Sequence, residues 1–499
     1  MLLETKQLIS KSTIYSIGNV LVKLVAFILI PLYARKLIPA EYGVVALLEL
    51  VELLGKTVLT FGLTQSILRF LIQYKSKNKE HELFFSNYIF LFFMNIIILG
   101  IFYLFPERLV NNLLSLTPEN ILYFRYVLIV IFSGIFQGIF IIILQAEEKA
   151  FHFIAYSLVT FLLLIGLNIY KVAYLNEGVL GIIESKLYVA IVNFIIVNGY
   201  FFWRFRPKYS YQVLRESFSY GFPLIFVGIS LTLLTVIGRY FLKIFENIEE
   251  VGIYSMTYKF GMIINMILIT PFRQAFLPLI FRLSTQQDIR KLFRNFLTYF
   301  LFIGFLFFLI FSLFARELLI IVTSPQYVRG YIILPLIAFS YLLFGIRIIF
   351  VGALSVKKET KIIAFSTVSG AVLNIGLNLL FIPWWGMVGA AVATLMSYLF
   401  ITITSYIPLQ KVYFIQWDWK RAGKIILTGF SLYAISLLVT IENIYFSIIG
   451  KAILFLLFPL ILYLTNFFYK SELESIKLEF RKITKSNKKW QDDDSFYLS

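Results

Sequence analysis

The chain has no cysteine, which removes disulfides, thiolate metal sites and cysteine nucleophiles from consideration. Histidine is nearly absent. His81 and His152 fall in or beside loops and cannot assemble a metal cluster. Aspartate is sparse as well: Asp288, Asp418, Asp492, Asp493 and Asp494 all fall in loops or the tail. No serine–histidine arrangement, HExxH sequence or glycine-rich phosphate loop occurs, so nothing resembles an ATPase. Neither an enzyme nor a cofactor is expected. A membrane glycosyltransferase or polymerase stays open as a different class, because it needs only a carboxylate and a basic groove.

What is abundant is apolar. Of the 499 residues 60% are hydrophobic, and the mean hydropathy is +0.85, well above the roughly 45–50% apolar usage of soluble domains. Crossing a hydrocarbon core of about 30 Å takes roughly 20 residues. Runs of that length recur at 10–33, 41–67, 84–105, 120–144, 151–173 and 178–203. They resume at 218–243, 251–280, 292–314, 331–355, 361–382, 386–408, 422–441 and 445–468. The expectation is an all-α polytopic membrane protein with about fourteen transmembrane helices. The N-terminus runs into the first span without a small-residue cleavage site and reads as an uncleaved start-transfer segment.

Lysine and arginine alternate between dense and sparse loops. The even loops hold Lys75, Lys77 and Lys79, then Arg204, Arg206, Lys208 and Arg215, then Arg282, Arg290, Lys291 and Arg294. That bias places both termini in the cytoplasm. The net charge of +18 then reflects basic loops facing anionic lipid, with no nucleic acid as partner.

A repeat is visible at an offset of about 209 residues. PAEYG at 39–43 falls on IEEVG at 248–252, pairing Glu41 with Glu250 and Gly43 with Gly252; Gln65 falls on Gln274. Six helices therefore repeat in the same orientation, and transporters with parallel repeats bind substrate between the halves. The expected organisation is an N-lobe at 1–203, a cytoplasmic linker at 204–217 and a C-lobe at 218–413. Two further helices follow at 414–469, then a basic cytoplasmic tail at 470–499. In the tail Leu473, Ile476, Phe480 and Ile483 fall at helical spacing, which suits either an interfacial helix or a solvated segment.

Charges within spans carry the functional signal, since each costs roughly 2.5–3.5 kcal/mol at membrane depth even on a lenient scale. The basic ones are Lys23, Lys56, Arg239, Lys259 and Arg347, with Arg273 nearer a helix end. Glu49, Glu52 and Glu184 are the acidic ones. Glu52 and Lys56 are four apart and share a helix face, so they read as an ion pair. Lys186 follows Glu184 by two, which does not bring them together on one helix. Arg239 and Arg273 sit near enough to helix ends to snorkel. Lys23, Lys259 and Arg347 have no acid at helical spacing in their own spans. They read as lining a water-filled cavity that attracts an anion, or as pairing across helices.

The pattern GNVLVKLVAFILIPLYARKLIPAEYGVVAL, followed by FGLTQSILRF at 61–70, closely resembles the first two helices of polysaccharide-biosynthesis flippases, the Wzx-like O-antigen translocases. These share a superfamily with the multidrug and toxin extruders and the lipid II flippases. EEVGIYSMTYKFG at 249–261 and GMVGAAVAT at 386–394 continue the match. The resemblance implies a MATE-like V of two six-helix lobes that alternate between inward-open and outward-open states. Its cargo would be an undecaprenyl-diphosphate-linked oligosaccharide, destined for O-antigen, lipopolysaccharide, capsule or exopolysaccharide. Expected partners are that lipid-linked oligosaccharide, membrane lipids, and a polysaccharide polymerase with its chain-length machinery. The family's cationic cavity positions match Lys23 and Lys259. Multidrug extruders typically carry an acid in the first helix where this chain has Lys23. Cation-coupled drug antiport is thus the weaker alternative, and lipid II flipping a close sibling.

Overall fold

A computed structural model of the chain describes residues 28–107, 110–111, 117–147, 149–284, 289–438, 443–469, 472 and 474. All regular structure among them is helical. In lipid a backbone must satisfy its own hydrogen bonds, so apolar runs of this length close into helices. Residues 28–36 are helical, and Lys23 lies outside the described residues. There follow α1 (Pro39–Leu59), α2 (Leu63–Ser76), α3 (Glu80–Leu104), α4 (Ile121–Ala146) and α5 (Ala150–Asn168). Next come α6 (Gly178–Arg204), α7 (Tyr211–Phe245), α8 (Ile248–Ile264), α9 (Thr270–Arg282) and α10 (Ile289–Leu313). The last are α11 (Ala315–Val322), α12 (Leu334–Val356), α13 (Thr360–Val412), α14 (Trp419–Leu438) and α15 (Ile444–Leu464).

Among the described residues, eleven helices are long and apolar enough to cross a membrane. The chain is a multi-pass membrane protein. α1 also has spanning length, 21 residues, but Glu41, Glu49, Glu52 and Lys56 make it polar. α13 holds two of the expected spans. At Gly386 the backbone turns to φ 51° and ψ −129°, which glycine reaches without a Cβ clash. The two halves then run back along each other. Asn374 donates to Ser397 Oγ at 3.0 Å, and the Ser366 and Ser405 hydroxyls meet at 3.3 Å.

Two long apolar runs are interrupted, each beside a residue that disfavours a regular helix. The run at 41–67 is interrupted after α1 by a turn through Gly62, with φ 67°. That at 251–280 passes through a π-helical turn, Asn265–Ile269, ahead of Pro271.

The offset of the repeat reappears in the helix starts: α1 begins at Pro39 and α8 at Ile248, 209 residues apart. Their first turns cross in near-contact. A Cβ on Gly43 would lie 2.1 Å from the Ile248 carbonyl oxygen, and one on Gly252 would lie 1.8 Å from that of Pro39. The contact is reciprocal, as a two-fold relation between the repeats requires. Only residues without a side chain allow backbones this close.

At the other end of the chain, the start of the tail is fastened to α14. Arg421 donates through both terminal nitrogens to Glu472, at 3.0 and 2.9 Å, and its guanidinium lies over the rings of Phe467 and Tyr469. Tyr299 of α10 adds a bond of 2.5 Å to the same carboxylate. Partial burial would raise the Glu472 pKa, but these donors outweigh it and hold the carboxyl below its usual range. A depressed carboxylate contributes stability above its unfolded value of about 4.3 and loses it as pH falls through the folded value. The staple is therefore intact at neutral pH. Arg421→Met should cost about 2 kcal/mol locally and speed proteolytic clipping after residue 469. Unchanged clipping would show that the tail is held elsewhere. The stripe Leu473, Ile476, Phe480 and Ile483 lies outside the described residues.

Candidate functional site

α1 divides its two faces between charge and grease. Glu49, Glu52 and Lys56 are three and four residues apart and therefore share a face. On the opposite side Leu50, Leu54 and Val58, with residues of α3, α4 and α7, line an apolar cavity of about 520 Å³.

The charged face is where three other helices converge. Lys56 binds Glu52 at 2.7 Å within α1. From α6, Lys186 reaches Glu52 at 3.0 Å and Glu49 at 3.8 Å. From α8, Lys259 donates to Glu49 at 3.0 Å and lies 5.1 Å from the Tyr42 ring centre. From α7, Arg239 stands 3.7 Å from Glu49. Four cations thus share two carboxylates, a surplus of two positive charges. The three lysine side chains keep 20–31% of their surface exposed, while Arg239 keeps 3%. The lysines are thus the accessible cations of the cluster, and Arg239 is the buried one.

Among the described residues several buried polar atoms of α1, α7 and α8 have no hydrogen-bond partner, including Arg239 Nε and the hydroxyls of Tyr42, Ser255 and Tyr258; Arg239 Nη1 has only its ion pair with Glu49. Buried polar groups are normally paired in more than nine cases out of ten, so this concentration of unpaired atoms sets the region apart. The two carboxylates of the cluster balance only half of its four cations.

The other residues singled out in the sequence lie apart from this cluster. Arg347 of α12 is buried and donates to the Ser366 and Thr367 hydroxyls at 3.3 and 2.5 Å. It has no carboxylate partner among the described residues. Arg273 of α9 is exposed and makes no ion pair among them. Glu184 binds Lys171 at 2.6 Å, and Lys171 also binds Glu177. Arg239 does not snorkel: six residues before the end of α7, it packs against Glu49 and Tyr258 and is buried. The structure adds Lys186, which reading for same-helix partners had set aside beside Glu184. The same test of depth that singled out Lys259 applies equally to Lys186.

Comparison with known proteins follows the same lines. A solved lipid II flippase, MurJ, in an inward closed conformation, superposes with a TM-score of 0.74 at 15% identity, covering 90% of this chain and 98% of that one. An inward-facing multidrug resistance MATE family transporter of the MOP superfamily gives 0.62 at 14% identity, covering 80% and 95%. A MOP superfamily transporter from Pyrococcus furiosus gives 0.59 at 14% identity, covering 81% and 96%. At such identities these likenesses establish a shared fold. No curated protein sequence matches the chain. The model of a family described as polysaccharide biosynthesis protein matches residues 8–284, more than half of the chain. The protein belongs to the polysaccharide biosynthesis protein family and has the fold of MurJ and the MATE transporters.

Proposed function

We propose that this protein flips an undecaprenyl-diphosphate-linked oligosaccharide across the bacterial cytoplasmic membrane by alternating access. The moving bodies are two six-helix lobes, residues 1–203 and 218–413, with 204–217 as the cytoplasmic linker. The observation that carries the reading is the surplus of two positive charges where α1 and α6 of one lobe meet α7 and α8 of the other. A diphosphate supplies the missing negative charge. In water-poor surroundings such contacts are far stronger than in bulk water.

Glu49 holds the place of the cargo. It ties Lys186 to Lys259 and Arg239, and so one lobe to the other. An entering diphosphate competes for the same donors and loosens that tie. A ligand shifts a conformational equilibrium only through a difference in affinity between states; exchanging Glu49 for diphosphate creates such a difference. Lys23 and Arg347 contribute further positive charge along the path.

Lipid II, which also carries a polyprenyl diphosphate, is the sibling reading, and the fold likeness to MurJ favours keeping it. Profiling lipid-linked sugars in a deletion strain separates the two. Accumulation of a cytoplasm-facing oligosaccharide carrier, cleared by restoring the gene, is the expected result. Accumulation of lipid II alone would replace the cargo, and unchanged pools of both would reject flipping.

A further inference from the structure

A second polar cavity, of about 370 Å³, lies between the α10–α11 corner and the hairpin of α14 and α15. It is remote from the Glu49 cluster in its residues and elements. Glu317 of α11 is 4% exposed there. Its Oε1 accepts from Lys451 Nζ at 2.6 Å and from Ser447 Oγ at 2.7 Å, one turn apart on α15. The other carboxylate oxygen, Oε2, is buried and has no partner, as is the nearby Ser312 hydroxyl.

The pairing is thus half complete. A buried carboxylate oxygen without a donor costs roughly 1–3 kcal/mol or more. Arg316, next to Glu317 on the cavity wall, is exposed and has no acidic partner among the described residues. What remains unsatisfied is therefore one acceptor and one cation, side by side. A ligand that satisfies both carries an N–H donor and an anion a few bonds apart. The cavity's rim adds a third requirement: Ile332 is 49% exposed and Leu437 63% exposed. Apolar side chains at the mouth of a polar cavity suit a headgroup that trails hydrocarbon better than a free, soluble zwitterion. The size lies within the usual range of small-molecule sites, about 300–1,000 Å³.

We propose that this cavity binds the headgroup of an aminophospholipid. The primary ammonium donates to Glu317 Oε2, the phosphate pairs with Arg316, and the acyl chains leave past Ile332 and Leu437. A lipid seated there joins α14 and α15 to α11, and so fixes the terminal hairpin against the body of the protein. The site is separate from the cargo path, so it stands or falls independently of the flippase reading.

The test uses the full-length protein, stripped of lipid in detergent and given phosphatidylethanolamine, phosphatidylcholine or phosphatidylglycerol. Retention is read by native mass spectrometry and by the thermal midpoint. Phosphatidylcholine has the phosphate and the positive charge but no N–H, so it isolates the Glu317 contact. Wild type should retain phosphatidylethanolamine about tenfold better than phosphatidylcholine, the size of one charge-assisted hydrogen bond. Glu317→Gln should lose that preference. Because that change also weakens Lys451, Arg316→Met serves as a second variant: it removes no hydrogen bond or ion pair among the described residues and should weaken all three lipids about tenfold. Equal retention of the two zwitterionic lipids by wild type would overturn the proposal. So would unchanged retention in Arg316→Met.

Discussion

Lys259→Glu is expected to bring polysaccharide export per protein molecule close to zero, while Lys259→Arg keeps most of it. The reasoning is a count of charge at one place. Lys56, Lys186, Arg239 and Lys259 face Glu49 and Glu52; the reversal turns a surplus of two into none and leaves a diphosphate without a reason to bind. Lys259→Met leaves a surplus of one and should fall about tenfold, the value of one charged contact. Arginine keeps the charge but changes its shape, so it is tolerated better than either. A structural explanation must be separated from this one, because Lys259 is also the partner of Glu49 in a half-buried pair, and removing one partner costs stability as well. The double variant Glu49→Leu/Lys259→Met makes the separation. It deletes the pair entirely yet restores the surplus of two. Export normalised to membrane abundance should recover well above that of Lys259→Met alone. If the double variant is no better than the single one, the charge surplus is not what moves cargo.

A change of a single hydrogen to a methyl group, Gly252→Ala, should have the second-largest effect. Its Cβ would stand 1.8 Å from the Pro39 carbonyl oxygen, and the reciprocal Gly43→Ala would meet the Ile248 carbonyl oxygen at 2.1 Å. Backbone cannot rotate aside as a side chain can, so the starts of α1 and α8 must separate. Overpacking costs about 1–3 kcal/mol, enough to move a two-state equilibrium tenfold or more. The variants should favour the state in which this end of the molecule is open. Spin labels at Ala40→Cys and Glu249→Cys report it, in a chain with no native cysteine to interfere. A distance distribution shifted outward, with lowered export, is expected. An unshifted distribution in Gly252→Ala would mean that the crossing is looser than the described contact.

How much of this was legible beforehand varies with the range of the interaction involved. Spans, class and the repeat offset follow from local composition, since burying backbone in lipid leaves the helix as the only local solution. The Glu52–Lys56 pair is equally local: both ends lie on one helix, and 3.6 residues per turn brings them together. Breaks inside apolar runs were harder. Gly62 sits in a run as greasy as its neighbours, and only the turn it makes sets α1 apart from α2. The partners of Lys186 are not legible in the sequence because they lie 134 and 137 positions earlier in the chain.

The sequence by itself determined that this is a helical, many-spanned membrane protein built on a repeat, and its motifs pointed to the flippase family. It also determined which ionisable residues lie within apolar segments, because depth is a matter of position along a run. The tertiary structure alone decided which of those charges meet. It brought Lys186, Arg239 and Lys259 from three helices onto Glu49 and Glu52, buried Arg347 among hydroxyls, and left Arg273 outside. The reason is physical: helix periodicity relates residues one turn apart, whereas ion pairing depends on distance in space, which the packing of helices from different parts of the chain sets.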